Sequence, residues 1–222
     1  MSIPVVDIKE DILSRNNAGA SALREELIRR KVYYLNVMAS PGSGKTTLLT
    51  ALVERLKERY RIGVIEADID GKVDAETIAR KTGVKCIEMH TGGACHITYQ
   101  MSKEAVEALG TEGLDVIILE NIGNLVCPAE FDTGARDNLV LLSLPEGDDK
   151  PLKYPLMFEV ATMVAVTKTD VAPAFDFDRD AAIMNIRKRN ASCPVFYVSA
   201  RTGEGLDALI SHLSSAIDAV TK

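Results

Sequence analysis

The sequence has no tryptophan, few aromatic residues (5%) and fewer positive than negative charges: 26 lysines and arginines face 32 aspartates and glutamates, for a net charge of −6. That balance argues against nucleic acid or an anionic membrane surface as the main partner. No apolar run approaches the ~20 residues of a membrane span. A basic leader followed by an unbroken apolar stretch is missing too. The opening MSIPVVDIKEDI carries acids instead, and a cytoplasmic protein is the expectation. The cysteines, Cys86, Cys95, Cys127 and Cys193, are then expected to be thiols or metal ligands rather than disulfides. What the chain does have is 46% hydrophobic and 26% charged residues over 222 positions, enough for one well-buried α/β domain with an appendage.

Glycine is concentrated in MASPGSGKTTLL (38–49), between the strand-like VYYLNV and the helix-like LLTALVERLKERY. Gly42 and Gly44 let successive backbone N–H groups point at an anion, and a helix starting near Lys45 adds the positive end of its dipole. This is a phosphate cradle of the G-x-x-x-x-G-K-[ST] kind, formed here by Gly42, Ser43, Gly44, Lys45, Thr46 and Thr47. Lys45 is expected to reach the β- and γ-phosphates, and the Thr46 hydroxyl to ligate Mg²⁺. Ala39 replaces the first glycine and, as the smallest substitute, should be tolerated.

Around the cradle the chain alternates. Apolar periodicity predicts strands at 33–39, 61–66, 84–89, 114–119, 138–144, 162–167 and 195–199, and helices at 45–59, 74–82, 97–109, 178–190 and 204–219. Ile8, Ile12, Leu23 and Leu27 suggest one or two amphipathic helices before them. The expected fold class is α/β: a mostly parallel sheet with helices on both faces, in the P-loop NTPase manner, over 31–222, preceded by a short helical N-terminal segment over 1–30. The connections 121–137 and 144–155 are long enough to be functional.

MVAVTKTD (163–170) ends in T-K-x-D, close to the N-K-x-D element that reads guanine. A carboxylate at Asp170 can accept from both the ring N1–H and the exocyclic amine of guanine, and Lys168 can lay its stem along the base plane. Thr167 stands where asparagine is usual, with an expected cost of about 1 kcal/mol. VSARTGEGLDAL resembles the S-A-x element, so Ser199 and Ala200 are expected to support the base. GLDVIILENIG delivers Glu120 toward Mg²⁺ and Gly123 as a γ-phosphate sensor. Asp68 is a second Mg²⁺ candidate. Asp70 and Asp74 are candidates to orient the attacking water, an N-cap role being the other reading of Asp74.

Cys95 and His96 are adjacent after TGG, at the expected start of a helix, and Cys127 follows the Glu120 strand by a short loop. Thiolate, imidazole and thiolate suit Zn²⁺ in a tetrahedron or Ni²⁺ in a square plane, but they are one ligand short of either. Water or a second subunit must complete the set. Cys86 and Cys193 lack such company and are expected to be packing residues.

The pieces SPGSGKTTLL, EADID, DAE, TGGACH, ENIGNLVCPAEFDTG, EGDDKPLKYP and TKTD together resemble the HypB family of nickel-incorporating GTPases, within the dimerising P-loop GTPases that include UreG. TGGACH joined to ENIGNLVCPAEFD separates the chain from UreG, whose metal motif is Cys-Pro-His. The resemblance implies GTP hydrolysis that controls capture and release of Ni²⁺ or Zn²⁺ at a homodimer interface, in nickel delivery to the hydrogenase large subunit precursor alongside other hydrogenase maturation proteins. Three histidines in all make nickel storage unexpected. A P-loop small-molecule kinase and a zinc-stabilised nucleotide-binding interaction module are the alternatives.

Overall fold

The computed structural model describes residues 8–68 and 73–222. The chain runs α1 (Ile8–Arg29), β1 (Tyr33–Ala39), α2 (Lys45–Leu56), β2 (Ile62–Asp68), α3 (Val73–Thr82), β3 (Lys85–His90), α4 (Tyr99–Leu109), β4 (Val116–Gly123), α5 (Cys127–Glu130), β5 (Asp137–Ser143), α6 (Lys150–Lys153), α7 (Pro155–Glu159), β6 (Met163–Thr167), α8 (Arg179–Arg187), β7 (Val195–Tyr197) and α9 (Leu206–Thr221). Short 3-10 stretches cover Leu144–Glu146 and Thr169–Ala174. The strands form one seven-stranded sheet in the order β3-β2-β4-β1-β5-β6-β7, every pairing parallel. This is the expected P-loop fold.

A parallel sheet needs crossovers, and these cover both faces. Val37, Val64, Ile118 and Leu141 pack with Leu49, Leu52, Ile78, Leu209 and Leu213 under α2, α3 and α9. On the opposite face Tyr34, Ile65, Ile117 and Leu119 meet α4 and the Leu23 and Leu27 side of α1, while Val140, Val164 and Val166 meet Met157, Phe158 and Ile186 of α7 and α8. Alternate residues of each strand serve opposite faces, which is why the central strands read as largely apolar runs.

The N-terminal segment is one helix whose buried stripe differs from the expected one. Ile12 is 51% exposed, whereas Asn16, Ala20, Leu23 and Leu27, spaced at helical intervals, face inward. A polar residue at 16 and small ones at 19 and 20 conceal that stripe, because α1 lies close against α4: a Cβ on Gly19 would stand 2.3 Å from the Tyr99 ring. The side chain of Ile8 lies outside the described residues. The short helices α5 and α6, in the two long connections, and α7, just after the second, are too short to display periodicity.

A chain of amides laces the centre of the sheet. Asn121 Nδ2 donates to Asn36 Oδ1 at 3.0 Å, Asn36 Nδ2 to Asn138 Oδ1 at 3.0 Å, and Asn138 Nδ2 to the Val160 carbonyl at 3.0 Å. Asn36 and Asn121 are buried, so each depends on the others. Asn36→Ala strands the Asn121 donor and the Asn138 acceptor, and should destabilise the fold by about 3 kcal/mol in urea unfolding. An unchanged midpoint would show that the chain contributes nothing.

Candidate functional site

The site lies at the carboxyl ends of β1, β4, β6 and β2, where the crossovers of a parallel sheet leave loops free to converge. Gly42 and Gly44 both have positive φ, 72° and 93°. A Cβ at Gly42 would meet nothing within 4 Å, so backbone conformation, not space, calls for glycine there. Gly44 is the N-cap of α2 and offers no side-chain cap, which leaves the first-turn N–H groups of a 12-residue helix facing the cradle. Lys45 opens that helix. Ala39 ends β1 in ordinary strand conformation, in register with Gly123, so its replacement of glycine costs no backbone strain.

The loops expected to read the base are tied to this cradle. Thr167 Oγ1 donates to the Ser43 carbonyl at 2.8 Å, and Lys168 Nζ donates to the Gly42 carbonyl at 2.7 Å. Lys168 itself adopts the left-handed conformation, φ 63°. Asp170 Oδ1 accepts from the fully buried Ser199 Oγ at 2.7 Å, and Ser199 Oγ accepts in turn from the Thr202 N–H. Ser43, Gly44, Thr47, Thr167, Lys168, Asp170 and Ala200 line one cavity of about 200 Å³. Thr167 thus positions the loop from beneath by holding the cradle backbone, a contact its hydroxyl makes as a donor.

Glu120, 2% exposed in the carboxyl half of β4, accepts from Thr46 Oγ1 at 2.8 Å, which places the two expected Mg²⁺ groups side by side. Gly123 lies against the cradle: a Cβ there would be 3.1 Å from the Pro41 backbone. Asp68 ends β2 half-exposed, and its carbonyl accepts from the Thr91 N–H. Asp70 lies outside the described residues. Asp74 falls within the first turn of α3 rather than at its N-cap, and its side chain lies outside the described residues. Glu66, passed over in the sequence, is buried and in register with Glu120 on one side and Glu88 on the other. An acid at an otherwise apolar strand position was the available signal.

Cys95 Sγ lies 3.1 Å from Cys127 Sγ and 3.8 Å from His96 Nδ1. The hydrogen bond to Cys127 pushes the Cys95 thiol up, with desolvation and repulsion between the two sulfurs adding to it. Burial lowers the His96 imidazole, against the pull of Glu130. The pair of residues precedes α4 rather than starting it. Thr98 is the N-cap, accepting from the Met101 N–H, and the His96 ring is stacked on Phe131 instead, centroids 3.8 Å apart at 16°. Among the described residues no three His, Cys, Asp or Glu side chains already stand as a closed metal cage. Two thiolates on a tetrahedral zinc would be ~3.8 Å apart, so capture needs a small parting of the sulfurs and a turn of His96. Burial pushes the thiols of Cys86 and Cys193 up to about 11, in keeping with packing roles. Phe131 and Asn124, which donates to the Cys95 carbonyl, adjoin the candidate ligands and were not singled out in the sequence.

The family model of the CobW/HypB/UreG nucleotide-binding domain matches residues 34–196. The hydrogenase maturation factor HypB of Rhizobium leguminosarum bv. viciae is 44% identical over 209 residues, 94% of this chain and 70% of that protein. HypB of Helicobacter pylori, solved in complex with nickel, superposes with a TM-score of 0.86 at 36% identity, covering 92% of this chain and 95% of that one. Archaeoglobus fulgidus HypB gives 0.84 at 30% identity, covering 92% and 99%.

Two substitutions probe the base end of the cavity. Asp170→Asn exchanges a double acceptor for a group that donates and accepts, and should move preference from GTP toward xanthosine triphosphate. Ser199→Ala removes the bond that aims Asp170, and should weaken GDP by about fivefold, near 1 kcal/mol. A competition assay in which ATP displaces labelled GDP as well as GTP does would contradict both.

Proposed function

Because this chain belongs to the CobW/HypB/UreG nucleotide-binding family, we propose that it is a GTP-hydrolysing metallochaperone that delivers nickel during maturation of nickel-iron hydrogenase. The observation that carries the reading is the course of β4. It brings Glu120 to Thr46 and Gly123 to Pro41, then delivers Cys127, four residues on, to within 3.1 Å of Cys95.

In this reading Gly42, Ser43, Gly44, Lys45 and Thr47 hold the phosphates. Thr46, Glu120 and Asp68 hold Mg²⁺, which screens the charge of the triphosphate. Asp170, Lys168, Thr167, Ser199 and Ala200 select guanine. Asp70 or Asp74 orients the attacking water. Hydrolysis is slow unaided, because the described site holds no arginine aimed at the γ-phosphate. The cargo, Ni²⁺ with Zn²⁺ as competitor, is bound by Cys95, His96 and Cys127. These are one ligand short, and a homodimer formed around the GTP-bound state supplies the remainder. Loss of the γ-phosphate contact at Gly123 shifts the loop that carries Cys127, and with it the metal geometry. The thiolate ligands suit the reducing cytoplasm. The acceptor is the hydrogenase large subunit precursor, reached with other maturation proteins.

Metal titration of the purified protein tests the ligand set. Cys127→Ala should abolish tight binding of one nickel or zinc per subunit and leave GTP binding nearly intact, since the cradle and Asp170 stand apart from it. Cys86→Ala and Cys193→Ala should bind metal as the parent does. Parent-like metal binding by Cys127→Ala would make Cys95 and Cys127 structural and end the metallochaperone reading.

A further inference from the structure

We infer that the N-terminal helix α1 is the positioning element of the metal site, acting through Asn16 and Arg24. The inference rests on the reading of Cys95, His96 and Cys127 as metal ligands, and adds to it residues far from them in sequence.

Asn16 is 5% exposed, and both ends of its amide are used. Its Nδ2 donates to the Asp132 carbonyl at 2.8 Å, and its Oδ1 accepts from the Tyr99 N–H at 2.9 Å. Tyr99 lies three residues after His96, and Asp132 five after Cys127. One side chain therefore bridges the two segments that carry the ligands. The Tyr99 N–H is also one of the α4 N-terminal donors that the helix cannot satisfy itself, so Asn16 acts there alongside the Thr98 cap.

Arg24 holds the same loop two turns further along α1. Its Nη2 donates to both carboxylate oxygens of Asp132 at 2.6 Å, and its Nε to the Ala135 carbonyl at 2.7 Å. Gly134 is pressed onto α1 so closely that a Cβ would lie 3.0 Å from the Ala20 carbonyl oxygen. The residue next to Asp132 is Phe131, whose ring carries the His96 imidazole. Fixing Asp132 fixes Phe131, and Phe131 sets the face that His96 presents.

Burial of Leu23 and Leu27 already anchors the carboxyl half of α1 to the sheet. Asn16 is not needed for that anchoring. A helix held by apolar contacts alone could place any apolar residue at 16, but only a two-ended polar group can grip both a carbonyl on one ligand segment and an N–H on the other. Asn16 and Arg24 thus limit how far the His96 turn and the Cys127 loop can separate, which is the distance a metal must span.

The test uses the full chain with Co²⁺ as the probe, read by its thiolate charge-transfer and d–d absorption, together with GDP affinity and thermal melting. Asn16→Ala should weaken Co²⁺ at least tenfold and shift the d–d bands, with GDP affinity within about twofold of the parent. Asn16→Asp, which keeps the acceptor for Tyr99 and loses the donor to Asp132, should also weaken Co²⁺. Arg24→Gln, at a part-exposed position, carries the same expectation if Asn16→Ala melts too low to assay. Cobalt binding in the parent that survives Cys127→Ala overturns the metal reading and this inference with it. Binding that depends on Cys127 but keeps the parent's affinity and spectrum in both Asn16→Ala and Arg24→Gln overturns the role of α1 alone.

Discussion

The contact on which the rest depends is the approach of β4 to the phosphate cradle at Gly123. A Cβ there would lie 3.1 Å from Pro41 backbone atoms, so the strand end packs directly on the cradle. Three residues earlier, Glu120 is bonded to Thr46. Four residues later comes Cys127. One short stretch of chain thus runs along the phosphate cradle and ends at Cys127, the proposed metal ligand, so in the proposed reading no longer path is needed for one site to feel the other.

The remaining polar contacts make that stretch a defined lever. The amides of Asn121, Asn36 and Asn138 lock β4 to β1 and β5 inside the sheet, which holds the base of the lever. Thr167 and Lys168 bind the loop proposed to read the base to the carbonyls of Ser43 and Gly42, which ties it to the cradle. Past Gly123 the support changes character: the loop rests on α1 through Asp132 and on the His96 turn through Phe131. A rigid half therefore meets a half held by a few side-chain contacts, which is where a small shift can be expressed.

Much of this was legible in the sequence, for particular reasons. The strands announced themselves because a sheet covered on both faces makes the central strands largely apolar, and the cradle because few residue types permit its backbone. The T-K-T-D and S-A-R elements each sit where a strand ends, as the pattern led one to expect, and their proposed role in reading guanine rests on that placement. The α1 stripe was not legible: Gly19 is small because Tyr99 of the neighbouring helix comes close, Asn16 faces inward to make polar contacts, and no periodicity of apolar residues encodes either. Phe131 was hidden within a motif whose cysteine drew attention first. Glu66 was hidden because strand register, which aligns it with Glu120, is a property of the sheet and not of one segment. His96 was placed on a helix because the apolar pattern of α4 runs back to Ile97, whereas the Thr98 cap starts the helix later.

The central claim is that nucleotide state and metal geometry are linked through the end of β4. The most direct measurement is the nickel affinity of one preparation loaded in turn with GDP and with a non-hydrolysable GTP analogue, each with Mg²⁺. Linkage through this contact predicts affinities that differ by roughly 5- to 150-fold, with the same factor recovered when nucleotide affinity is measured with and without nickel. Equal nickel affinities in the two nucleotide states would contradict it.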